Sequence, residues 1–220
     1  MSGVWAIVVA GGSGTRFGDT MPKQFLDLGG LRVLDWALAA ASAACDGVVA
    51  VLPAAHLDAV LTPGITKVAG GATRSASVRA GLAAVPDGVA VIVVHDAARP
   101  LATPELFQRV IAAVRTGADG AVPGVPVADT IKSIDPTGGQ VIKTLDRAAL
   151  RAVQTPQAFS PAALLAAHAR GADATDDAAL VERLGAAVHV IDGETANLKV
   201  TTARDLALVR ALAGLESQAI

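Results

Sequence analysis

Val8-Val9-Ala10-Gly11-Gly12-Ser13-Gly14-Thr15-Arg16-Phe17-Gly18, followed by Pro22-Lys23-Gln24, is the stretch on which the reading of this chain turns. An apolar run from Val4 to Ala10 ends in a loop that carries four glycines, Arg16 and, seven residues on, Lys23. A buried strand feeding a Gly-rich loop lets backbone N–H groups approach a phosphate chain, because no Cβ stands in the way. Arg adds a fork of donors beside the same phosphates, and Lys adds a point charge. An ordinary βα turn is the competing reading, and Arg16 and Pro22-Lys23 weigh against it. The loop is not a Walker loop, since no G-x-x-x-x-G-K-[ST] string occurs. Nor does it match the dinucleotide fingerprint. Gly12, Gly14 and Gly18 are spaced G-x-G-x-x-x-G, and the next apolar run, 48–52, ends at Pro53 with no carboxylate. That spacing disfavours an NAD-dependent oxidoreductase.

Composition narrows the class. At 220 residues the chain fits one α/β domain or a domain with a small appendage. Hydrophobic content is 52%, but aromatics are only 3% and Tyr is absent, so the core is aliphatic and base stacking on nucleic acid is not expected. A net charge of −2 and a pI near 6.0 supply no basic field for nucleic acid or anionic membrane. Cys45 is the one cysteine, in an Ala-rich helical run, and reads as core rather than nucleophile. No Lys or Arg precedes Arg16, so the start lacks the charge of a secretory signal, and no apolar stretch is long enough to span a membrane. A cytoplasmic protein is the expectation.

Strand-like segments at 4–10, 48–52, 65–69, 89–95, 120–123, 152–154 and 188–192 alternate with helix-like ones. The helices are expected at 33–44, 74–85, 104–116, 161–169, 176–184 and 203–213. Such alternation predicts a mostly parallel twisted sheet with helices on both faces. Thr103-Pro104 and Thr202 with Asp205 have the form of helix starts. Residues 127–147 break the pattern. Ile131-Lys132-Ser133-Ile134 and Gln140-Val141-Ile142-Lys143-Thr144 flank a Pro/Gly turn, which signals a protruding β-hairpin that needs something to pack against.

Val91-Ile92-Val93-Val94 runs into His95-Asp96-Ala97-Ala98-Arg99-Pro100. Ligands of open α/β sheets bind beyond the carboxyl ends of strands, so Asp96 is placed for a metal or substrate. A lone carboxylate suits Mg²⁺, which takes one or two carboxylates plus substrate phosphates. A loop-capping Asp is the alternative. Adjacent residues of a strand face opposite ways, so His95 is expected to be a packed histidine rather than Asp96's catalytic partner. None of the four histidines has zinc-type spacing. Asp176 and Asp177 open a helix, where negative charge suits the dipole. Lys199 could be a solvated lysine at a strand end, and Arg147 could brace the hairpin.

Several further motifs occur in order along the chain. They are Gly70-Gly71 with Arg74 and Ser77-Val78, Asp129-Thr130-Ile131-Lys132, Gln154-Thr155-Pro156-Gln157, Thr175-Asp176-Asp177 and Asn197-Leu198-Lys199-Val200. Together with the glycine loop and His95–Pro100, the chain resembles the 2-C-methyl-D-erythritol 4-phosphate cytidylyltransferases of non-mevalonate isoprenoid synthesis, from about residue 4 to 213. The resemblance implies a Rossmann-like nucleotidyltransferase fold, with 1–220 as one domain and 127–147 as a dimerisation arm. It implies CTP, Mg²⁺ and methylerythritol phosphate as ligands, and a homodimer. Arg16 and Lys23 would stabilise the transition state, Asp96 would hold Mg²⁺, and Arg147 and Lys199 would position the substrate phosphate. Arg99, Thr130 and Thr175 would lie nearby, and Ala10, Gly11, Gly12, Gly14, Gly71 and Ser77 would line the cytidine site. Ala72 departs from relatives that carry an acidic residue there, which leaves base reading to backbone groups and Ser77. Another alditol phosphate, such as ribitol 5-phosphate, is the alternative acceptor. A non-catalytic nucleotide-binding regulator is disfavoured by the Arg16–Lys23–Asp96 set.

Overall fold

The computed structural model describes residues 3–11, 21–169 and 171–215. In chain order the elements are β1 (Val4–Val9), β2 (Asp27–Leu28), β3 (Leu31–Arg32), α1 (Val33–Ala44), β4 (Gly47–Leu52), β5 (Thr66–Ala69), α2 (Arg74–Leu82), β6 (Val91–Asp96) and α3 (Pro104–Arg115). They continue with β7 (Gly120–Pro126), β8 (Lys132–Ile134), β9 (Val141–Thr144), β10 (Arg151–Val153), β11 (Gln157–Phe159), α4 (Pro161–Ala169), α5 (Asp177–Glu182), β12 (Val188–Asp192) and α6 (Ala203–Leu212).

One sheet organises these elements. β5, β4, β1 and β6 run parallel in that order, and β12 runs parallel to β7. β11 lies between β6 and β7 and is antiparallel to both, so β6 and β7 share a direction. β10 is antiparallel to the far end of β7. Alternation along the strands sends apolar side chains to both faces. Ala6, Val8, Val91 and Val93 meet Leu34 and Leu38 of α1 and Leu106, Phe107 and Val110 of α3. Ile7, Val49, Val51, Ile92 and Val94 meet Val78 of α2, Leu164 of α4 and Val181 of α5. The mostly parallel α/β sheet is therefore as the sequence reads, with an aliphatic core. Cys45 caps the end of α1, half-buried, and burial pushes its thiol up to about 12. No helix among the described residues is long and apolar enough to cross a membrane.

Two features differ from the expectation. The strand expected at 152–154 is β10, a short exposed piece, whereas the buried strand of that region is β11. With only three residues β11 shows no period, and its place between β6 and β7 is made by long-range pairing. The small β2–β3 hairpin falls outside the expected elements; it packs with α6 in a separate apolar cluster of Leu28, Val33, Val200, Leu206 and Val209. Thr103 and Thr202 cap α3 and α6 as expected, through Leu106 N and Asp205 N. The 127–147 hairpin forms as β8 and β9, antiparallel and exposed along both strands.

α2 lies close on the sheet at Gly81, where a Cβ would run into Ile7 Cγ2 and come within 3.1 Å of Val51 Cγ2. Gly81→Ala is expected to destabilise the protein by about 1–3 kcal/mol despite the better helix propensity of Ala, because overpacking outweighs it. A lower urea midpoint at unchanged m-value would register the loss.

Candidate active site

The carboxyl ends of β1, β4 and β6 stand level. Val9 is in register with Asp96, Ala97 N donates to Val9 O at 3.0 Å, and Ala10 N donates to Val51 O at 2.8 Å. On one side of this rim the chain is stripped to backbone. The Ser77 hydroxyl accepts Gly71 N at 3.1 Å and donates to Thr73 O at 3.0 Å. A Cβ at Gly11 or Gly70 would come within 2.9 Å of Ser77 Oγ, and one at Gly71 within 2.5 Å of Ala76 Cβ. Glycine is what allows β1, β5 and α2 to approach so closely here. Ala10, Gly11, Gly71 and Ser77, four of the residues expected around a nucleoside, are thus brought together. Gly12, Gly14 and Arg16 lie outside the described residues. Lys23 opens a 3-10 turn, Lys23–Phe25, and the buried Gln24 side chain donates from Nε2 to Ala10 O, which ties that turn to the end of β1.

On the other side the charges gather. The Asp96 carboxylate accepts Arg74 Nε at 3.1 Å on Oδ1 and Lys199 Nζ at 2.6 Å on Oδ2. Its side chain is only 12% exposed, that of Lys199 41%. Burial alone would raise the Asp96 carboxyl, but Arg74 and Lys199 outweigh it and hold the group well below the usual carboxylate range. A cleft of about 230 Å³ opens over these residues, lined also by Arg99, Gln154, Thr155, Gln157, Thr175 and Asp176. Arg99 Nη1 donates to Asn197 O at 2.8 Å. The expected residues Asp96, Arg99, Thr175 and Lys199 therefore meet in one cleft. Thr130 and Arg147 do not line it within this chain. Both are exposed at the hairpin, where Arg147 Nη1 donates to Ala128 O at 2.8 Å.

His95 is the packed histidine that strand alternation predicts: fully buried against Phe107. Burial pushes its imidazole down to about 4, so the ring is neutral. Nε2 lies 3.2 Å from Arg99 O, a pure acceptor, which assigns the proton to Nε2. Nδ1 then accepts the Thr155 hydroxyl at 3.1 Å, and Thr155 Oγ1 accepts Asp96 N at 3.0 Å. His95 thus fixes the Asp96 backbone from behind and does not face the cleft as a base.

Arg74, Gln154, Thr155 and Gln157 sit in the quoted motifs but have no role assigned from them. Gln154 Oε1 accepts Glu194 N at 3.1 Å and its Nε2 donates to Glu194 O at 2.8 Å, which anchors the segment leading to Lys199. Gln157 Nε2 donates to Asp176 Oδ2 at 3.1 Å. Asp176 caps α5 through Ala179 N, as its place at a helix start suggested. Asp177 is something more than a dipole partner: it is fully buried and ion-paired with Arg74 at 2.7 Å.

A cleft at the carboxyl end of a mostly parallel sheet, with backbone-lined space beside a carboxylate held by two cations, is the site of a nucleotide-handling α/β enzyme. The sequence model of the 2-C-methyl-D-erythritol 4-phosphate cytidylyltransferase family matches residues 4–214. The chain belongs to that family, whose members are nucleotidyltransferases. It is 49% identical over 216 residues to the 2-C-methyl-D-erythritol 4-phosphate cytidylyltransferase of Rhodococcus opacus, covering 95% of this chain and 94% of the relative. The enzyme of that name from Streptomyces coelicolor is 44% identical over 225 residues, covering 94% and 83%. Among solved structures, the Thermus thermophilus cytidylyltransferase superposes with a TM-score of 0.79 at 37% identity, covering 97% of this chain and 100% of that one. The 4-diphosphocytidyl-2C-methyl-D-erythritol synthase of Anaerococcus prevotii superposes at 0.83 with 29% identity, covering 97% and 99%.

Proposed function

We propose that this chain transfers the cytidylyl group of CTP to 2-C-methyl-D-erythritol 4-phosphate, releasing pyrophosphate and forming 4-CDP-2-C-methyl-D-erythritol for isoprenoid synthesis. The observation that carries this reading is the family match across nearly the whole chain. The names of the relatives favour methylerythritol phosphate over another alditol phosphate such as ribitol 5-phosphate.

A phosphate oxygen of the acceptor attacks the α-phosphorus of CTP in line, forming one P–O bond as the bond to the β-phosphate oxygen breaks. The attacking phosphate, with a second pKa of about 6, is already ionised near neutrality. A protein base is not needed, which agrees with a His95 that is neutral and turned away. What the residues must supply is alignment and neutralisation of two polyanions. Lys23 and Arg16 act on the charge developing around the α-phosphorus. Lys199 and Arg147 hold the acceptor phosphate, with Arg99, Thr130 and Thr175 beside it. Ala10, Gly11, Gly12, Gly14, Gly71 and Ser77 take the cytidine. Ala72, exposed between Gly71 and Thr73, offers no polar side chain, so backbone groups and Ser77 read the base.

Mg²⁺ fits Asp96. The carboxylate is ionised, and each oxygen accepts one N–H bond in the structure, leaving capacity for a cation. No group of three ligating side chains occurs among the described residues, so triphosphate oxygens and water would complete the shell, as this cation prefers. When bound it supplies further neutralisation of the triphosphate.

The exposed hairpin carries Ile134, Val141 and Ile142, each more than half exposed. We place a second copy of the chain against it, in a cytoplasmic homodimer whose arm brings Thr130 and Arg147 to the partner's cleft. A pyrophosphate-release assay over a panel of triphosphates and alditol phosphates, with Mg²⁺, tests the assignment. CTP with methylerythritol phosphate is expected to be the productive pair. Release with UTP, GTP or ATP alone would refute it.

A further inference from the structure

We propose that Arg74 is a positioning residue for this reaction: held by the buried Asp177, its guanidinium fixes the orientation of the Asp96 carboxylate at the cleft. The kinetic consequence rests on the function proposed above; the linkage itself does not.

The linkage runs across four elements. His168 of α4 places Nε2 2.9 Å from Asp177 Oδ1 at the start of α5. Asp177 Oδ2 accepts Arg74 Nη1 at 2.7 Å at the start of α2. Arg74 Nε then donates to Asp96 Oδ1 at the end of β6. Asp177 is fully buried and has a hydrogen bond on each oxygen, so it is a fixed point and not a mobile counter-ion. A planar guanidinium can hold two carboxylates on two edges at once, whereas an ammonium is a point charge that cannot keep both directions. Burial would lower the Arg74 pKa, but its two carboxylates outweigh that and raise it, so the link stays charged.

The other contact on the Asp96 carboxylate is of a different kind. Lys199 is twice as exposed as Arg74, 41% against 21%, and is the group assigned to the acceptor phosphate. Its hold on Oδ2 is therefore one that a bound phosphate competes for. Arg74, tied from behind, keeps Oδ1 in place when Lys199 is drawn away. Arg74 itself need not touch either substrate for this.

The test is a cycle of four proteins: wild type, Arg74→Lys, Asp96→Asn and the double variant. Arg74→Lys keeps a positive charge beside the buried Asp177. It is expected to lower kcat about tenfold or more while KM for CTP stays within about twofold. In the Asp96→Asn background the same change is expected to alter kcat less than about twofold, because the group it positions is gone. Multiplicative, independent losses would overturn the proposal, as would a lysine variant with normal kcat. Should Arg74→Lys not fold, Asp177→Asn is carried through the same cycle with the same two outcomes. A wild-type protein that releases no pyrophosphate from CTP and methylerythritol phosphate would sink the proposed function instead. The linkage is then decided by thermal midpoints of the four proteins: non-additive shifts support it, and additive shifts overturn it.

Discussion

Lys23→Met is expected to lower kcat by about 10²–10³ while leaving KM for CTP nearly unchanged. The expectation starts from how the residue is held. Pro22 has φ −61 and ψ 136, an extended entry, and Phe25 N donates to Pro22 O at 2.9 Å to close the turn. Gln24 is 2% exposed and donates its side-chain amide to Ala10 O, which ties the turn to the end of β1. If Lys23 faces the α-phosphorus as proposed, its charge rides on a turn whose backbone is fixed before substrate arrives. It then costs no reorganisation when charge builds at the α-phosphorus, and that makes it worth more in the transition state than in the ground state. Methionine keeps the unbranched apolar stem and removes only the charge. Steady-state kinetics at saturating methylerythritol phosphate, with a thermal melt to check folding, separates the two possible roles. Normal kcat with weakened CTP binding would make Lys23 a ground-state clamp.

Much of the site's frame was legible because it is local in sequence. The apolar runs of β1, β4 and β6 read as buried strands, and the residues immediately after them carry the glycines and Asp96. The opposed directions of His95 and Asp96 followed from the two-residue period of a strand, and the structure places His95 against Phe107 and Asp96 against Arg74. The ion pairs were not legible for a plain reason. Arg74 and Asp177 are 103 positions apart, as are Asp96 and Lys199. Nothing in the sequence near Asp177 distinguishes a buried ion-pair partner from a helix-opening acid, since both want a carboxylate at a helix start. β11 was hidden for a similar reason: Gln157, Ala158 and Phe159 are fully buried, but three residues between a proline and a helix carry no period. The Gln154–Asn197 contacts that steady the approach to Lys199 share this character, with Asn197 Nδ2 donating to Gln154 Oε1 across 43 positions. Motif resemblance flagged these residues without saying what they touch.

Subunits of Lys23→Ala and Arg147→Ala, each inactive alone, are expected to recover about one quarter of wild-type activity when mixed and allowed to exchange. The hairpin motivates this. β8 and β9 pair with each other and not with the main sheet, and Ile142 at 68% exposure and Val141 at 53% leave apolar surface in water. A two-stranded ribbon of this kind is marginal without a partner surface. Arg147 lies at the base of the same arm and does not line the cleft that holds Asp96 and Lys199 within its own chain. If the arm reaches a second copy, each active site draws Lys23 from one subunit and Arg147 from the other. A mixed dimer then has one site that lacks both residues and one that lacks neither. Random exchange makes about half the dimers mixed, and each has one working site of two, which gives the quarter. If Arg147 serves its own subunit, every site in a mixed dimer lacks one residue and nothing returns. Exchange is verified by mass labelling of one partner. Verified exchange without recovered activity would remove the shared site and leave the cytidylyltransferase assignment standing, because that rests on the family match and not on the arm.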